Sequence, residues 1–231
     1  MKSTSRLAAQ ANTLNRFFFR LQSATFSLLP SVFAVALLMV RAAITHGVAY
    51  TFLLWNLFLA WTPFVFAVAA AAVRNRPRIR FLQWPLLAMW LLFLPNAPYI
   101  LTDVVHVLRL GGYVFWYDLV LVFSFALAGL AAGVASMRIV QRLVTESAGT
   151  LAGHLVVLTS ALLSGVGIYL GRVMRWNSWD LVLQPHVLLP QMARAVANPW
   201  HSRHALVFAA MFGVLFAVIA IATLPRSRSA D

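Results

Sequence analysis

The chain has no cysteine among its 231 residues. Disulfides and thiolate metal sites are therefore excluded outright. Acidic residues are nearly as scarce, with five Asp and Glu against 18 Lys and Arg and a formal net charge of +13. Signatures of familiar membrane enzymes are missing too: there is no His-Glu-x-x-His zinc motif and no Gly-x-Ser-x-Gly elbow. No phosphate-cradling glycine loop occurs, which argues against ATP-driven work by this chain alone. The two halves do not read as inverted repeats.

What the chain has instead is apolar sequence. It is 62% hydrophobic and 10% charged, far from the balance of a soluble domain. A bilayer core about 30 Å thick needs roughly 20 apolar residues per helix. Six stretches are candidates: Ala24–Met39, Val48–Val73, Phe81–Leu94, Val114–Met137, Leu151–Leu170 and Ala205–Leu224. The expected fold class is all-α, a polytopic membrane protein with these six transmembrane helices. The expected organisation is a basic cytoplasmic segment over 1–23, a single transmembrane domain over 24–224 and a cytoplasmic tail over 225–231. Lys2, Arg6, Arg16 and Arg20 precede Phe26–Val40 as they would in a signal peptide, but the leader is long and Arg41 follows directly. A retained signal-anchor helix is expected.

The positive charge does not point to nucleic acid. The arginines sit in short clusters between apolar runs, where they anchor topology and meet anionic head groups. No basic groove with interleaved exposed aromatics is available, and the lipid bilayer is the expected partner. With the N-terminus cytoplasmic, inner segments carry Lys2, Arg6, Arg16, Arg20, Arg74, Arg76, Arg78, Arg80, Arg138, Arg142, Arg226 and Arg228. Outer segments carry half as many: Arg41, Arg109, Arg172, Arg175, Arg194 and Arg203. The positive-inside rule then places both termini in the cytoplasm.

The third stretch is short for a crossing. Either arginines at its inner end snorkel to complete it, or it runs on past Pro95 as a discontinuous helix. A hairpin that never crosses would reverse everything after it and spoil the arginine bias. Two stripes of small residues, Ala126, Gly129, Gly133 and Ser136 on the fourth helix and Ser160, Ser164, Gly167 and Gly171 on the fifth, predict that these helices pack closely on each other. Trp116, Trp176, Trp179 and Trp200 mark an aromatic belt near the outer boundary.

Pro95-Asn96-Ala97-Pro98 interrupts regular helix, because each proline lacks a donor and crowds the preceding turn. Beyond it, Tyr99, Thr102, Asp103 and His106 share one helical face and Leu101, Val104, Val105 and Leu108 the other. A short amphipathic outer helix over Pro98–Leu108 follows, with Asn96 or Ala97 near its cap. The segment Leu181–Trp200, broken by Pro185, Pro190 and Pro199, is expected to lie along the membrane surface.

Ionisable groups at a membrane boundary are costly and face one another or water. Asp103, His106, Asp118, Arg172, Arg175 and Asp180 are therefore expected to form one outer cluster. Asp103, His106, Asp118 and Asp180 are the candidate acid–base or catalytic groups. Asn96, Tyr99, Arg172, Arg175, Trp176, Asn177 and Trp179 are the candidate ligand-binding groups, with the arginines suited to an anion. Bland readings stand beside these: Asp118 complements a helix N-terminus, Ser178 or Asn177 caps a helix, and the arginines pair with Asp103 or Asp180 only to lock the fold or snorkel to phosphates. Asp-x-x-His alone is too weak a signal to assign a metal, and no cofactor is identified.

These motifs carry a resemblance. Asn96-Ala-Pro-Tyr-Ile-Leu-Thr-Asp103, Trp116-Tyr117-Asp118, Gly167-Ile-Tyr-Leu-Gly-Arg172 and Arg175-Trp-Asn-Ser-Trp-Asp180 resemble a bacterial integral membrane protein family, the domain of unknown function numbered thirteen sixty-one. The resemblance covers about Leu28 to Leu224. It implies a multi-helix protein of the bacterial cytoplasmic membrane and transfers no activity. Three functional readings stay open. The leading one is binding or processing of an anionic or lipid-linked molecule at the outer face. The others are a transporter or channel using the broken third helix, and an assembly protein whose polar cluster is self-paired.

Overall fold

The computed structural model describes residues 25–110, 114–176, 183–187, 190, 193 and 203–223. These residues are helical, with no strand among them. Six helical spans are long and apolar enough to cross a bilayer. They are α1 (Thr25–Thr45), α2 (Phe52–Val73), a composite span over Pro77–Leu108, α6 (Phe115–Ala148), α7 (Thr150–Arg172) and α8 (Arg203–Ala222). The composite span is assembled from a 3-10 entry (Pro77–Leu82), α3 (Gln83–Phe93), the single turn α4 (Asn96–Tyr99), a 3-10 turn (Ile100–Asp103) and α5 (Val104–Leu110).

The third stretch thus follows the discontinuous-helix alternative: helix runs on past Pro95 rather than restarting with a cap at Asn96. The fourth helix extends well beyond Met137 to Ala148, since Arg138, Arg142 and Glu146 all suit helix even where lipid ends. At 34 residues and about 1.5 Å per residue it exceeds a bilayer core of about 30 Å. It is also the central helix. In its most apolar window 78% of residues are buried, against 22% in α1 and in α8. α2 and the composite span pack on one side of α6, α7 on another, and α8 lies chiefly against α7.

Lipid offers no hydrogen bonds, so polar groups within the spans must be satisfied by protein. Trp90 Nε1 of α3 donates to Ser136 Oγ of α6 at 3.0 Å, and that hydroxyl donates to the Gly133 carbonyl at 2.7 Å. Trp61 Nε1 of α2 donates to Ser31 Oγ of α1 at 3.0 Å, and Ser31 donates to the Ser27 carbonyl at 2.8 Å. Each serine passes the bond onward and leaves no hydroxyl orphaned. Tyr117 ties α6 to α1 by donating its hydroxyl to the Leu37 carbonyl at 2.6 Å.

α6 and α7 pack on each other as the small-residue stripes lead one to expect, and the glycines of those stripes serve a second purpose. They receive the broken turn that lies between the two helices. A Cβ on Gly129 would stand 2.6 Å from the Ala97 carbonyl oxygen, and one on Gly133 would stand 2.6 Å from the Ala97 methyl. On α7, Gly167 faces the Pro95 ring and Gly171 the Tyr99 ring. A turn wider than a regular helix needs backbone-deep clearance, and only glycine gives it. The break repairs its own bonding as well. Asn96 Nδ2 donates to the Phe93 carbonyl at 2.9 Å, and the Ala97 and Tyr99 amides reach Leu94 and Pro95 carbonyls at 3.1 Å each. The Leu94 carbonyl, which Pro98 cannot reach with an N–H, is thereby served by the Ala97 amide.

Gly129→Ala should therefore destabilise the protein by about 1–3 kcal/mol through overpacking against immovable backbone, read as a lower Tm in detergent. Gly47→Ala is the comparison, since a Cβ there meets nothing closer than 3.6 Å, and it should leave Tm unchanged.

Candidate functional site

The turn held in the glycine cradle delivers Thr102 and Asp103 to the inside of the bundle, where both are buried. An isolated carboxylate in such surroundings is strongly disfavoured. Asp103 is not isolated. Its Oδ1 lies 3.1 Å from Arg172 Nη1, at the last residue of α7, and its Oδ2 accepts from Asn56 Nδ2 of α2 at 2.7 Å. Arg172 also donates through Nη2 to the Thr102 carbonyl and lies over the Tyr99 ring, 5.4 Å from its centroid. Three separate spans thus converge on one carboxylate.

His106 sits one turn along. Its Nδ1 is 3.2 Å from the Asp103 carbonyl oxygen and 3.8 Å from Asp103 Oδ1. The ring packs against Phe52 with centroids 5.1 Å apart. With Nδ1 turned toward Asp103, Nε2 lies on the opposite edge of the ring, and the side chain is 43% exposed. Asp103, by contrast, is 1% exposed and has both oxygens engaged. The carboxylate therefore orients and the imidazole faces outward.

Asp118 does not join this group. The structure pairs it with Arg41 of α1 in a side-on fork, Nε to Oδ1 at 2.5 Å and Nη2 to Oδ2 at 3.1 Å. Arg41 Nη1 also donates to Thr45 Oγ1, so the guanidinium is held on both edges. The expected six-residue cluster is thus divided, because the start of α6 packs toward α1 rather than toward the end of α7. Tyr50 lies under Arg41, 5.8 Å from ring centroid to guanidinium carbon. Its hydroxyl is buried without a hydrogen-bond partner among the described residues. Burial, reinforced by the nearby Asp118 charge, pushes the Tyr50 phenol up to about 12. Tyr50 also holds φ at +68°, and His46 in the same connection holds +48°; both are left-handed conformations that side-chain-bearing residues rarely adopt.

The remaining candidates fall as follows. Asn96 is spent on the break, and Tyr99 supports Arg172. Arg175 is exposed with φ at +61°, and the Trp176 amide closes the end of α7 onto the Leu170 carbonyl at 3.0 Å. Asn177, Trp179 and Asp180 lie outside the described residues, as does most of Leu181–Trp200. Among the described residues no three His, Asp or Glu side chains gather as a metal site. Sequence reading missed Arg41 and Asn56, the two partners that complete the pairs. Both were legible as polar residues inside or bordering an apolar span, a signal that alone marks a functional or bonded position.

An α-helical polytopic membrane protein with two interior carboxylates, each forked or bridged to an arginine of another span, is the class this arrangement defines. A family model described as Protein of unknown function (DUF1361) matches residues 55–219, and the chain belongs to that family. The matched range takes in Asn56, Asp103, His106, Asp118 and Arg172, whereas Arg41 and Tyr50 precede it. No curated protein and no solved structure matches the chain.

Asp118→Asn should cost about 3–5 kcal/mol, because it leaves Arg41 charged and unpaired in the interior. The double replacement Arg41→Met with Asp118→Leu should recover most of that loss. Thermal unfolding of the three proteins in the same detergent makes the comparison.

Proposed function

We propose that the end of the bundle carrying Asp103 and Arg172 binds an anionic or lipid-linked molecule, from the outer side of a bacterial cytoplasmic membrane. The observation that carries this reading is a charge balance. Asp103 is matched by Arg172 and Asp118 by Arg41, so the exposed arginines left over at this end among the described residues are Arg175 and Arg203. A positive rim over internally neutralised pairs favours an anion, and an arginine fork suits phosphate or carboxylate. The left-handed backbone at Arg175 supports the same reading, since such strain collects at ligand sites.

In this reading the parts divide the work. Asp103 fixes Arg172 and orients His106 through its backbone carbonyl and carboxylate. Arg175 and the half-buried Trp176 meet the ligand's charged group and its apolar flank. If a proton is transferred to or from the ligand, His106 Nε2 is the group placed to do it, because Asp103 has no oxygen to spare. Orientation with both termini cytoplasmic rests on the arginine bias between loops. A self-paired assembly role is the second reading, favoured by the complete bonding of both carboxylates.

Binding of phosphatidylglycerol against phosphatidylcholine of the same chains, measured by native mass spectrometry of protein released from detergent, separates the two readings. Arg175→Gln should lower the number of phosphatidylglycerol molecules retained per chain by one with Tm unchanged, and His106→Gln should weaken that same binding less. A count of retained phosphatidylglycerol that Arg175→Gln leaves unchanged would favour the assembly role.

A further inference from the structure

The opposite end of the bundle holds a charge that the protein does not neutralise. Arg138 projects from α6 into the seam between α1 and α8. Its guanidinium lies over the Phe26 ring of α1, 5.6 Å from the centroid, and its Nη2 donates to the Thr223 carbonyl just beyond α8. No carboxylate pairs with Arg138 among the described residues. Its Nε is buried without a hydrogen-bond partner there. A guanidinium has five N–H donors and a full charge, and one carbonyl with one aromatic face leaves most of both unanswered.

The neighbouring ions do not fill the gap. Glu146 is the one acidic side chain described at this end, and it is shared by Arg74 at 3.6 Å and Arg142 at 3.2 Å. Arg142 is one helical turn from Arg138 on the same face of α6, so Glu146 is already claimed before Arg138 is reached. Arg74 donates in addition to the Leu143 carbonyl at 2.6 Å. Two guanidinium groups therefore share the one described carboxylate, and Arg138 is left without one. α1 and α8, which form the seam, are the least buried spans of the bundle, so the seam opens sideways toward lipid rather than into a sealed core. Arg138 itself is half-buried, so part of it stays accessible.

We propose that Arg138, with Arg142 beside it, is a binding site for a phosphate group supplied by an anionic lipid headgroup lodged between α1 and α8. This site is separate from the one at the Asp103 end and does not depend on it. Phosphodiester oxygens answer the unmet donors of Arg138, and the acyl chains continue along the apolar outer faces of α1 and α8. Basic recesses between transmembrane helices are a recurring seat for such headgroups. Phe26 holds the guanidinium plane in place by its ring face.

The test uses the full chain in a neutral detergent, with Tm read by differential scanning fluorimetry. The probes are phosphatidylglycerol and phosphatidylcholine in mixed micelles, and inorganic phosphate alone. Phosphatidylglycerol should raise Tm and phosphatidylcholine should not, while phosphate alone should give no rise. Arg138→Gln should lose at least half of that rise, whereas Arg78→Gln, which removes the same charge from an exposed position in the α2–α3 connection, should keep it. Should Arg138→Gln fail to fold, Arg138→Lys keeps the charge but lacks the guanidinium fork and should bind several-fold less phosphatidylglycerol in native mass spectra. Equal losses for Arg78→Gln and Arg138→Gln, or a full effect from inorganic phosphate, would overturn the proposal.

Discussion

A carboxylate inside a membrane bundle must be met by a cation and filled on every lone pair, or it does not stay charged there. Asp103 imposes that condition on this chain, and much of the architecture satisfies it. Arg172 has to come from the end of α7, Asn56 from the start of α2, and the carboxylate itself from a span that bends inward at the right height. The bend is the Pro95–Pro98 turn, and it fits because Gly129, Gly133 and Gly167 remove side chains where it passes. Proline break, glycine cradle and ion pair are thus one device. Each component makes little sense without the other two.

The second pair, Arg41 with Asp118, does for α1 and α6 what the first does for the composite span and α7. Together the two pairs tie four spans at the same end of the bundle. Their internal neutrality has a functional consequence, because the cations left over at the rim set the field an approaching ligand feels. The other end follows a different rule. There arginines outnumber acidic side chains within the packed helices themselves among the described residues.

Much of this was legible before any coordinates. Apolar runs of bilayer length give the spans, and the scarcity of acidic residues directs attention to Asp103 and Asp118. Placing the polar ends of the third and fifth stretches together brings Asp103 toward Arg172 and Arg175, with Asp180 as a competing partner. What could not be read was which acid takes which base. Helix order in sequence does not fix lateral neighbours in a bundle, so Arg41 looked like a loop anchor until α1 was seen beside α6. The glycine stripes pointed to the α6–α7 contact but not to the turn lodged against them, for a related reason. Small residues at helical spacing announce a close approach, but their spacing does not say whether the visitor is a helix or an irregular turn. Asn56 was hidden in plain sight as a polar residue inside an apolar span.

The most direct measurement is a double-mutant cycle on Asp103→Asn and Arg172→Gln, with stability taken from reversible unfolding in mixed micelles. A pair that organises the bundle should give a coupling energy of about 1–3 kcal/mol, each single variant costing nearly as much as the double. Additive costs, with coupling within about 0.3 kcal/mol of zero, would show that the two side chains do not depend on each other and would contradict the account.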